Sequence, residues 1–397
     1  MTEPSHQSRT RRIKYGLNPQ QVDASLEFAD GIEWIRVLNG TLGYINVLDA
    51  IKAWYLAREL GRAFGRAAAA SIKHVHPAGA AVASPLDAAF RHAQFLGGED
   101  WSPLATAYAR ARAGDRVAAF GDFIGLSEPV DESCARLIAR EVSDGIVAPS
   151  YSSEALSILQ GKKGGRYVIL EADPDYEPPR MEVRSEGGVT LRQTRNTFEI
   201  TPELFGRVVT ERAGVSAEAI PDLLLATIVA KHAPSNAVCV AHGGQAIGIG
   251  GGQQARIYAT TLACAKADLW RLQLHPRTAE LSLSADATRT SRFNAVRQWL
   301  TWDELDDSDR ARLRASVRDL PQPLEADERR EWISRFSPVV LSSDGYIPFR
   351  DNVDRARRSG VHVIVQPGGS ASDTAVTGAA EESDIAMIHT GLRLFWH

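Results

Sequence analysis

The sequence predicts an α/β protein, and three features lead to this prediction. Strand-like runs of small and branched apolar residues alternate with segments whose apolar residues recur at helical spacing. The order of strand, small-residue loop with proline and glycine, then helix occurs in both halves, at SIKHVHPAGAAVA and VIVQPGGSASDTAV, which hints at two related lobes. The 397 residues, 44% of them hydrophobic, suffice for two or three units with a sizeable core.

The first half of the chain alternates helical and strand patterns from residue 48 to residue 172. Ser84 has the side chain that commonly caps a helix, and HPAG at 76–79 is expected to form a tight loop. Helices are predicted over 48–66, 84–95, 131–141 and 152–159, and strands over 67–75, 117–127, 144–150 and 166–172.

A polar, proline-rich stretch at 173–196 follows, and we place the boundary between the two lobes near its end. A hairpin is predicted to turn at His242-Gly243-Gly244. Residues 276–336 are charged and helical in pattern, with three packing anchors, Trp299, Trp302 and Trp332. The remaining predicted elements are helices over 221–233, 252–270 and 373–383 and strands over 361–366 and 385–390.

Composition excludes several classes of protein. A net charge of −4 argues against a dedicated nucleic-acid binder, which normally carries a basic surface. The three cysteines are far apart and odd in number, so neither a disulfide framework nor a C-x-x-C zinc site is expected. No apolar run approaches the roughly 18 residues that a membrane span needs, and the start has no secretory pattern. We therefore expect a cytoplasmic protein.

Lys73 and His74 stand at the end of a predicted strand, where α/β proteins commonly build sites. Histidine exchanges protons near neutral pH, and lysine stabilises a developing negative charge. An ordinary strand end accounts for the same two residues, so both interpretations stay open. His74 and His76 also form an H-x-H pair, but no third ligand stands nearby, and no metal site is predicted.

Two glycine-rich loops are candidates for ligand binding. Gly248–Gly252 does not have the spacing of a dinucleotide loop and follows a predicted hairpin. It is either a helix N-terminus suited to an anionic ligand or a structural turn, and the same alternatives hold for 367–371. Arg393 has the planar fork that clamps a phosphate, although an isolated arginine is more often a surface charge.

Several long segments of the chain together match the pattern of one enzyme family. They are KYGLNPQQ at 14–21 and, in order after it, LNGTLGYINVLDA, KHVHPAGAAV, AYARARAGDR, FGDFIGLS, REVSDGIVAP, SNAVC, GQAIGIGGGQQARI, SSDGYIPFRDNVDRA and LRLFWH. These segments resemble, in the same order, the AICAR transformylase part of a bifunctional purine-synthesis enzyme family, AICAR being an aminoimidazole carboxamide nucleotide. KYGLNPQQ is similar to the family's R-Y-G-x-N-P-H-Q, and the resemblance runs from about Ile13 to His397.

The resemblance implies a fold of two cytidine-deaminase-like α/β lobes. Together with the patterns above it predicts a flexible arm at 1–12, a first lobe at 13–197 and a second lobe at 198–397 with a helical insertion at about 276–336. It also implies a homodimer, while the composition predicts no nucleic-acid or membrane partner. Only a dozen residues precede the first motif, so we expect a chain without the family's IMP cyclohydrolase domain and a separate cyclohydrolase for the next step.

The resemblance further implies a formyltransferase that moves a formyl group from 10-formyltetrahydrofolate, its cosubstrate, to the 5-amino group of AICAR. His74 resembles the family's general base, Lys73 the cation that stabilises the oxyanion, and Asn236 the amide that orients the reacting groups. The remaining AICAR residues would be Lys14, Tyr15, Gly121, Asp144, Tyr346 and Arg393, and the folate residues Arg256, Ile257, Asp351, Ser370 and Ala371. The family also holds a structural potassium ion near the segments that match Ser235 and Asp344, while no catalytic metal is implied.

Three residues depart from the family's pattern: Lys14 replaces an arginine, Gln20 replaces a histidine, and His76 replaces a small polar residue. Lysine offers a point charge where arginine offers two parallel donors. These departures leave two alternatives to AICAR formyl transfer: a related formyltransferase acting on another aminoimidazole, or a non-catalytic homologue. The presence of Lys73, His74 and Asn236 argues against the second.

Overall fold

The computed structural model describes residues 10–28, 30–284 and 286–397. Most of the predicted arm at 1–12 lies outside these ranges, but its last three residues form a strand that pairs with Ser25–Glu27. The elements of the first half are β1 (Thr10–Arg12), β2 (Ser25–Glu27), β3 (Ile35–Asn39), α1 (Tyr44–Phe64), β4 (Ala68–Lys73), β5 (His76–Val82), α2 (Ala88–Ala93), α3 (Pro103–Ala113), β6 (Asp122–Leu126), α4 (Glu132–Ala139), β7 (Ser143–Ala148), α5 (Ser153–Gln160), β8 (Val168–Ala172), β9 (Met181–Glu186) and β10 (Val189–Thr194).

The second half repeats the alternation, with a group of short helices in its middle. Its elements are α6 (Ile220–Lys231), β11 (Val238–His242), β12 (Gln245–Gly250), α7 (Arg256–Leu272), α8 (Pro276–Ala279), β13 (Ser282–Leu283), α9 (Arg289–Leu300), α10 (Asp307–Ser316), β14 (Val317–Asp319), α11 (Ala326–Ser334), β15 (Val340–Ser343), α12 (Asp351–Arg358), β16 (Val363–Gln366), α13 (Asp373–Glu382) and β17 (Ala386–His389). The predicted α/β class is confirmed.

One mixed sheet of eleven strands crosses the molecule, in the order β17-β16-β15-β11-β12-β5-β4-β6-β7-β8-β3. Outward from the centre, each half runs in the same way. A hairpin (β4–β5 or β11–β12) is followed by one further antiparallel strand and then by two parallel strands. The halves join where β5 pairs antiparallel with β12. The same order of five strands therefore occurs twice, and β3 adds a sixth strand at the edge of the first half, antiparallel to β8.

The repeat lies elsewhere than the sequence pattern suggested. SIKHVHPAGAAVA forms the hairpin β4–β5, whereas VIVQPGGSASDTAV forms a strand, a loop and a helix, so pairing these two segments was wrong. The counterpart of β4–β5 is β11–β12, whose turn the sequence did predict. The tight loop predicted at 76–79 was also wrong, because those residues belong to β5. Small residues after a strand fit either a loop or a second strand buried on both faces.

Helices cover both faces of the sheet, so alternate residues of a strand enter different cores. In β4, Ala68, Ala70 and Ile72 lie in one core with α1 and α6, while Ala69 lies in the other with α3 and α7. Glycines allow the helices to approach the strands closely. A methyl group built on Gly248 would lie 2.0 Å from the Ala263 carbonyl oxygen.

Gly248 and Gly250 therefore belong to a helix–sheet contact. A methyl group on Gly250 would lie 2.2 Å from the Ala259 carbonyl oxygen, also on α7, so these two of the four glycines in the candidate loop serve packing. The first half uses the same device, since a methyl group on Gly79 in β5 would lie 1.9 Å from the Ala111 carbonyl oxygen on α3.

The charged segment predicted as a helical insertion forms a small core of its own. Trp299 is fully buried there, and its indole N–H donates to the Pro321 carbonyl at 3.0 Å. Trp302 and Trp332 are partly buried against the same cluster, as expected of packing anchors.

The N-terminal cap of α2 is Asp87, whose carboxylate accepts the Phe90 N–H, so the prediction of Ser84 as the cap was wrong. Within the described ranges, no helix combines the length and the apolar character that crossing a membrane requires.

Candidate active site

The hairpin β4–β5 turns through two residues, His74 and Val75. Their φ angles are 51° and 68°, and two-residue hairpin turns of this hand need positive φ at both positions. Asparagine and glycine adopt such angles readily, whereas a β-branched valine seldom does. The turn that carries His74 is therefore a strained backbone conformation that surrounding contacts must hold.

Asp49 on α1 provides those contacts. Its Oδ1 accepts the Val75 N–H at 2.7 Å, and the His74 N–H also donates to this carboxylate. The side chain is only 6% exposed; burial raises the pKa of Asp49, and the two backbone donors act in the opposite direction. Sequence reasoning missed Asp49, although an acidic residue on the apolar face of a helix is a signal that something must satisfy it.

Lys73 lies beside two of the predicted AICAR residues. Its ammonium donates to the Phe120 carbonyl, and the next residue, Gly121, has a φ of 77°. A methyl group on Gly121 would lie 3.9 Å from Lys73 Nζ and 4.0 Å from Asp144 Oδ1. Asp144 also pairs with Lys163 at 2.7 Å. The structure thus brings Lys73, Gly121 and Asp144 together.

A second group of predicted residues surrounds Asp344, which is fully buried after β15. Its carboxylate pairs with Arg256 and accepts the Ser235 hydroxyl at 2.5 Å. The neighbouring Asn236 donates from its side-chain amide to the Gln253 carbonyl at 2.7 Å. The peptide bond between Ser235 and Asn236 is cis.

The C-terminal segment closes over this second group. The Phe395 ring lies 4.9 Å from the Arg393 guanidinium and 6.0 Å from that of Arg256. It also packs on Gly345, next to the half-exposed Tyr346. Two predicted residues, Arg256 and Arg393, therefore lie beside one aromatic ring, and a third, Tyr346, follows the glycine on which that ring packs.

The two groups lie at the same end of the central sheet. His76, at the start of β5, has its ring against the backbone just after β12: a methyl group on Gly252 would lie 2.7 Å from His76 Nε2. Gly252 in turn donates its N–H to the Pro234 carbonyl at 2.6 Å, beside Ser235 and Asn236. His76 Nδ1 is 2.7 Å from the His74 carbonyl oxygen. His76 thus connects the His74 turn with the Asn236 loop.

The other predicted residues are held less directly. Lys14 Nζ lies 5.4 Å from the Tyr15 ring, and the Lys14 N–H donates to the Leu42 carbonyl at 3.4 Å. Asp351 begins α12, and its carboxylate accepts the side-chain amide N–H of Asn352. The amide oxygen of Asn352 in turn accepts the Thr260 hydroxyl. Thr260 lies on α7, one turn beyond Arg256 and Ile257. Ser370 and Ala371 lie in the loop between β16 and α13, where Ser370 N–H donates to Asp373. Among the described residues, no group of three or more histidine, cysteine or acidic side chains is arranged to hold a metal ion.

Comparisons with known proteins identify the family of this chain. The family model described as AICARFT/IMPCHase bienzyme matches residues 2–266. The chain is 31% identical over 392 residues to the bifunctional purine biosynthesis protein PurH of Mesorhizobium japonicum, covering 98% of this chain and 59% of that protein. The proteins of the same name from Roseobacter denitrificans and Cereibacter sphaeroides are 29% and 31% identical, each covering 97% of this chain and 59% of the relative. The chain thus spans about three fifths of the length of these relatives, and it belongs to the AICARFT/IMPCHase bienzyme family.

Proposed function

We propose that this chain transfers a formyl group from 10-formyltetrahydrofolate to the 5-amino group of AICAR, giving formyl-AICAR and tetrahydrofolate. The observation that carries the proposal is the convergence of Lys73, His74 and Asn236, with their neighbours, at one end of the sheet. Membership of a family whose relatives are named purine biosynthesis proteins supports the same reaction. An IMP cyclohydrolase would consume the product.

The reaction requires help at two atoms. The 5-amino group is conjugated with the ring and its carboxamide, so it is a poor nucleophile until a base removes a proton. In the proposed mechanism the amine attacks the formyl carbon and His74 takes the proton, which contributes roughly 10²–10⁴-fold. Lys73 stabilises the oxyanion that forms, worth about 10²–10³-fold. Collapse of this intermediate breaks the bond from the formyl carbon to folate nitrogen, and tetrahydrofolate leaves with a proton.

The proposed binding roles follow the two groups of residues. Lys14, Tyr15, Gly121, Asp144, Tyr346 and Arg393 would bind AICAR, with Arg393 on its phosphate; Arg256, Ile257, Asp351, Ser370 and Ala371 would line the folate pocket. Arg256 is buried against Asp344, so its part would be to shape the pocket around Phe395.

A structural potassium ion near Ser235 and Asp344 is a separate proposal. Asp344 already accepts from Arg256 and Ser235, one on each carboxylate oxygen, so an ion there would share this carboxylate with both of them.

We further propose that the two halves are cytidine-deaminase-like lobes, divided near residues 197 and 198, with 276–336 as an insertion in the second. The repeated strand order supports this division. The proposed compartment is the cytoplasm, where soluble nucleotide and folate substrates are found.

The central experiment mixes purified, EDTA-treated protein with AICAR and 10-formyltetrahydrofolate, without ATP. We expect formyl-AICAR and tetrahydrofolate in equal amounts, because the proposed chemistry uses only protein side chains. The absence of both products would refute the proposed function. A second aminoimidazole substrate is tested in parallel, since His76 and Lys14 depart from the family's pattern close to the proposed pockets. Turnover of that substrate alone would favour the related formyltransferase.

Asp49 is expected to act as a positioning residue for His74. Asp49→Ala removes the acceptor of both turn amides, so kcat should fall by about tenfold or more while the KM for AICAR changes little. Asp49→Asn keeps one amide oxygen as acceptor and should recover much of the rate. Asp307→Ala, on an exposed helix, is the control. Equal rates in Asp49→Ala and the control would contradict the role.

We also propose a homodimer, and the hairpin β9–β10 supports it. Every residue of both strands is exposed, including Met181, Val183, Val189 and Leu191. A two-stranded hairpin is marginally stable on its own in water, so a second copy packing against it would explain why these apolar side chains face outward. Obligate interfaces of this kind bury more than about 2,000 Å². Sedimentation showing a fully active monomer would contradict the dimer.

If the proposed sites draw on both chains, inactive variants should complement each other. Mixing His74→Ala with Arg393→Ala would give mixed dimers in which one of two sites has both native residues. About a quarter of the native activity should then return, because half of the dimers are mixed and half of their sites are intact. A dimer whose variants never complement would place both residues in one chain's site.

A further inference from the structure

A cavity of about 740 Å³ lies outside the group of candidate substrate residues. Helices α1 and α6 form two of its walls, the segments around Glu177 and Arg195 a third, and Phe395–Trp396 the fourth. Its lining is partly apolar, with Ile51, Ile200 and Leu224. A cavity of this size holds a small molecule.

Most of the charged side chains in the cavity are already paired. Arg58 and Arg62 pair with Glu177 at 3.3 and 2.9 Å. Lys231 and His232 both contact Glu59, at 2.8 and 2.7 Å. These ion pairs therefore serve as structural contacts that join α1, α6 and the segment after β8.

Lys52 on α1 is different. Its ammonium lies over the Trp396 ring, 3.2 Å from the centroid, and within the described ranges no carboxylate forms an ion pair with it. Burial lowers the pKa of Lys52 to about 7, and the more distant charge of Glu182 only partly opposes this. A largely buried ammonium without a counter-charge is costly unless a bound anion completes its environment.

Arg195 is the second unsatisfied cation of the cavity. Its Nη2 donates to the Pro178 carbonyl at 2.6 Å, but its Nε–H is buried with no hydrogen-bond partner in the described part of the chain. Leaving a buried charged donor unpaired costs more than leaving an exposed one. Two incompletely satisfied cations thus line the same cavity.

We propose that this cavity is a second anion-binding site, in which Lys52 and Arg195 receive a carboxylate or phosphate group of a small molecule. The apolar part of the lining would contact the body of that molecule, and the Trp396 ring would pack against it beside Lys52. The acidic residues Glu182 and Glu199 also line the cavity, so the site suits one anionic group better than a highly charged polyanion.

The site shares a wall with the proposed transfer site. Ser235 N–H donates to the Trp396 carbonyl at 2.9 Å, and Trp396 N–H donates to the Ser235 hydroxyl at 3.1 Å, beside Asn236. An occupant would therefore hold the segment that carries Arg393 and Phe395. The source of the anion is either a glutamyl carboxylate of the folate, an assignment that rests on the proposed function, or free phosphate.

The test measures how fast an amine-reactive reagent labels Lys52 in the full chain, read by peptide mass spectrometry, with Lys266 as internal reference. Inorganic phosphate, tri-γ-glutamate and sodium chloride of matched ionic strength are compared. We expect phosphate or tri-γ-glutamate, at several times its dissociation constant, to slow labelling about fivefold while chloride does not. No turnover is needed, so this result is independent of the formyl-transfer assay.

Kinetics of Lys52→Gln then separate the two sources, with Arg330→Gln on an exposed helix as the charge-matched control. If the folate tail occupies the cavity, tri-γ-glutamate slows the labelling of Lys52. The control then has a lower KM for the triglutamyl cosubstrate than for the monoglutamyl one, and Lys52→Gln loses this difference. If free phosphate occupies it, phosphate protects and the KM ratio stays as in the control. The proposal is overturned if neither anion protects Lys52. It is also overturned if Lys52 is labelled slowly even without either anion and is labelled faster when the protein is diluted. A second copy of the chain would then fill the cavity.

Discussion

His74→Ala should lower kcat by about 10²-fold or more while AICAR binding stays within about tenfold, because a proton acceptor acts mainly on the barrier. The turn supports this expectation, since a buried carboxylate holds the backbone of His74 in an unfavourable conformation. Single-turnover rates and an AICAR titration measure the two quantities separately. His92→Ala, an exposed histidine on α2, is the matched control.

Lys73→Ala should have an effect of similar size, because it removes the cation assigned to the oxyanion. The two variants should differ in their response to pH, since only His74 is assigned a proton transfer. Near-native turnover in either variant would remove that residue from its role. An equal loss in His92→Ala would show that the assay reports folding and not chemistry.

The second large effect is expected for stability, at Glu141. This buried carboxylate contacts Arg116 at 2.9 Å, Arg289 at 2.7 Å and Arg112 at 3.3 Å. Glu141→Gln leaves three cations with less counter-charge, and breaking a buried pair costs about 3–5 kcal/mol. The free energy of unfolding in urea measures this. The exposed Glu132→Gln, which loses one surface pair with Arg136, should change it by less than about 1 kcal/mol.

The same carboxylate predicts an acid sensitivity. Burial alone would raise the pKa of Glu141, but Arg116, Arg112 and Arg289 lower it to about 2, below its ordinary value of 4.5. The folded-state pKa lies below the unfolded one, so this stabilisation is complete above about pH 4.5 and is lost as the pH falls toward 2. The native protein should lose more stability across that window than Glu141→Gln. Parallel losses in both proteins would contradict the assignment.

The sequence predicted the α/β class and most of the strands of the central sheet, because buried strands and amphipathic helices leave periodic patterns. It missed the hairpin β9–β10, which has no buried face and so no such pattern. It also missed α3, where alanines and arginines alternate and Arg112 is buried against Asp122. A single sequence does not reveal that a charged residue on a helix is paired in the core.

The candidate residues were found through long motifs, while their spatial arrangement depends on long-range contacts. His76 meets Gly252 only because β5 and β12 are neighbours, and no local pattern encodes that pairing. Asp49 is the clearest omission. It lies 25 residues before His74, and its role follows only from the packing of α1 against the hairpin.

The continuous sheet also limits how the molecule can move. At the junction of the halves, the Val82 N–H donates to the Gly244 carbonyl at 3.0 Å, and the Gln245 side chain donates to the Arg110 carbonyl at 2.7 Å. Proteins that close like a clamshell around a ligand need a flexible hinge between two rigid bodies, and strands hydrogen-bonded across the junction supply none. Closure of one half on the other is therefore not expected, and any movement that admits the proposed substrates would be local.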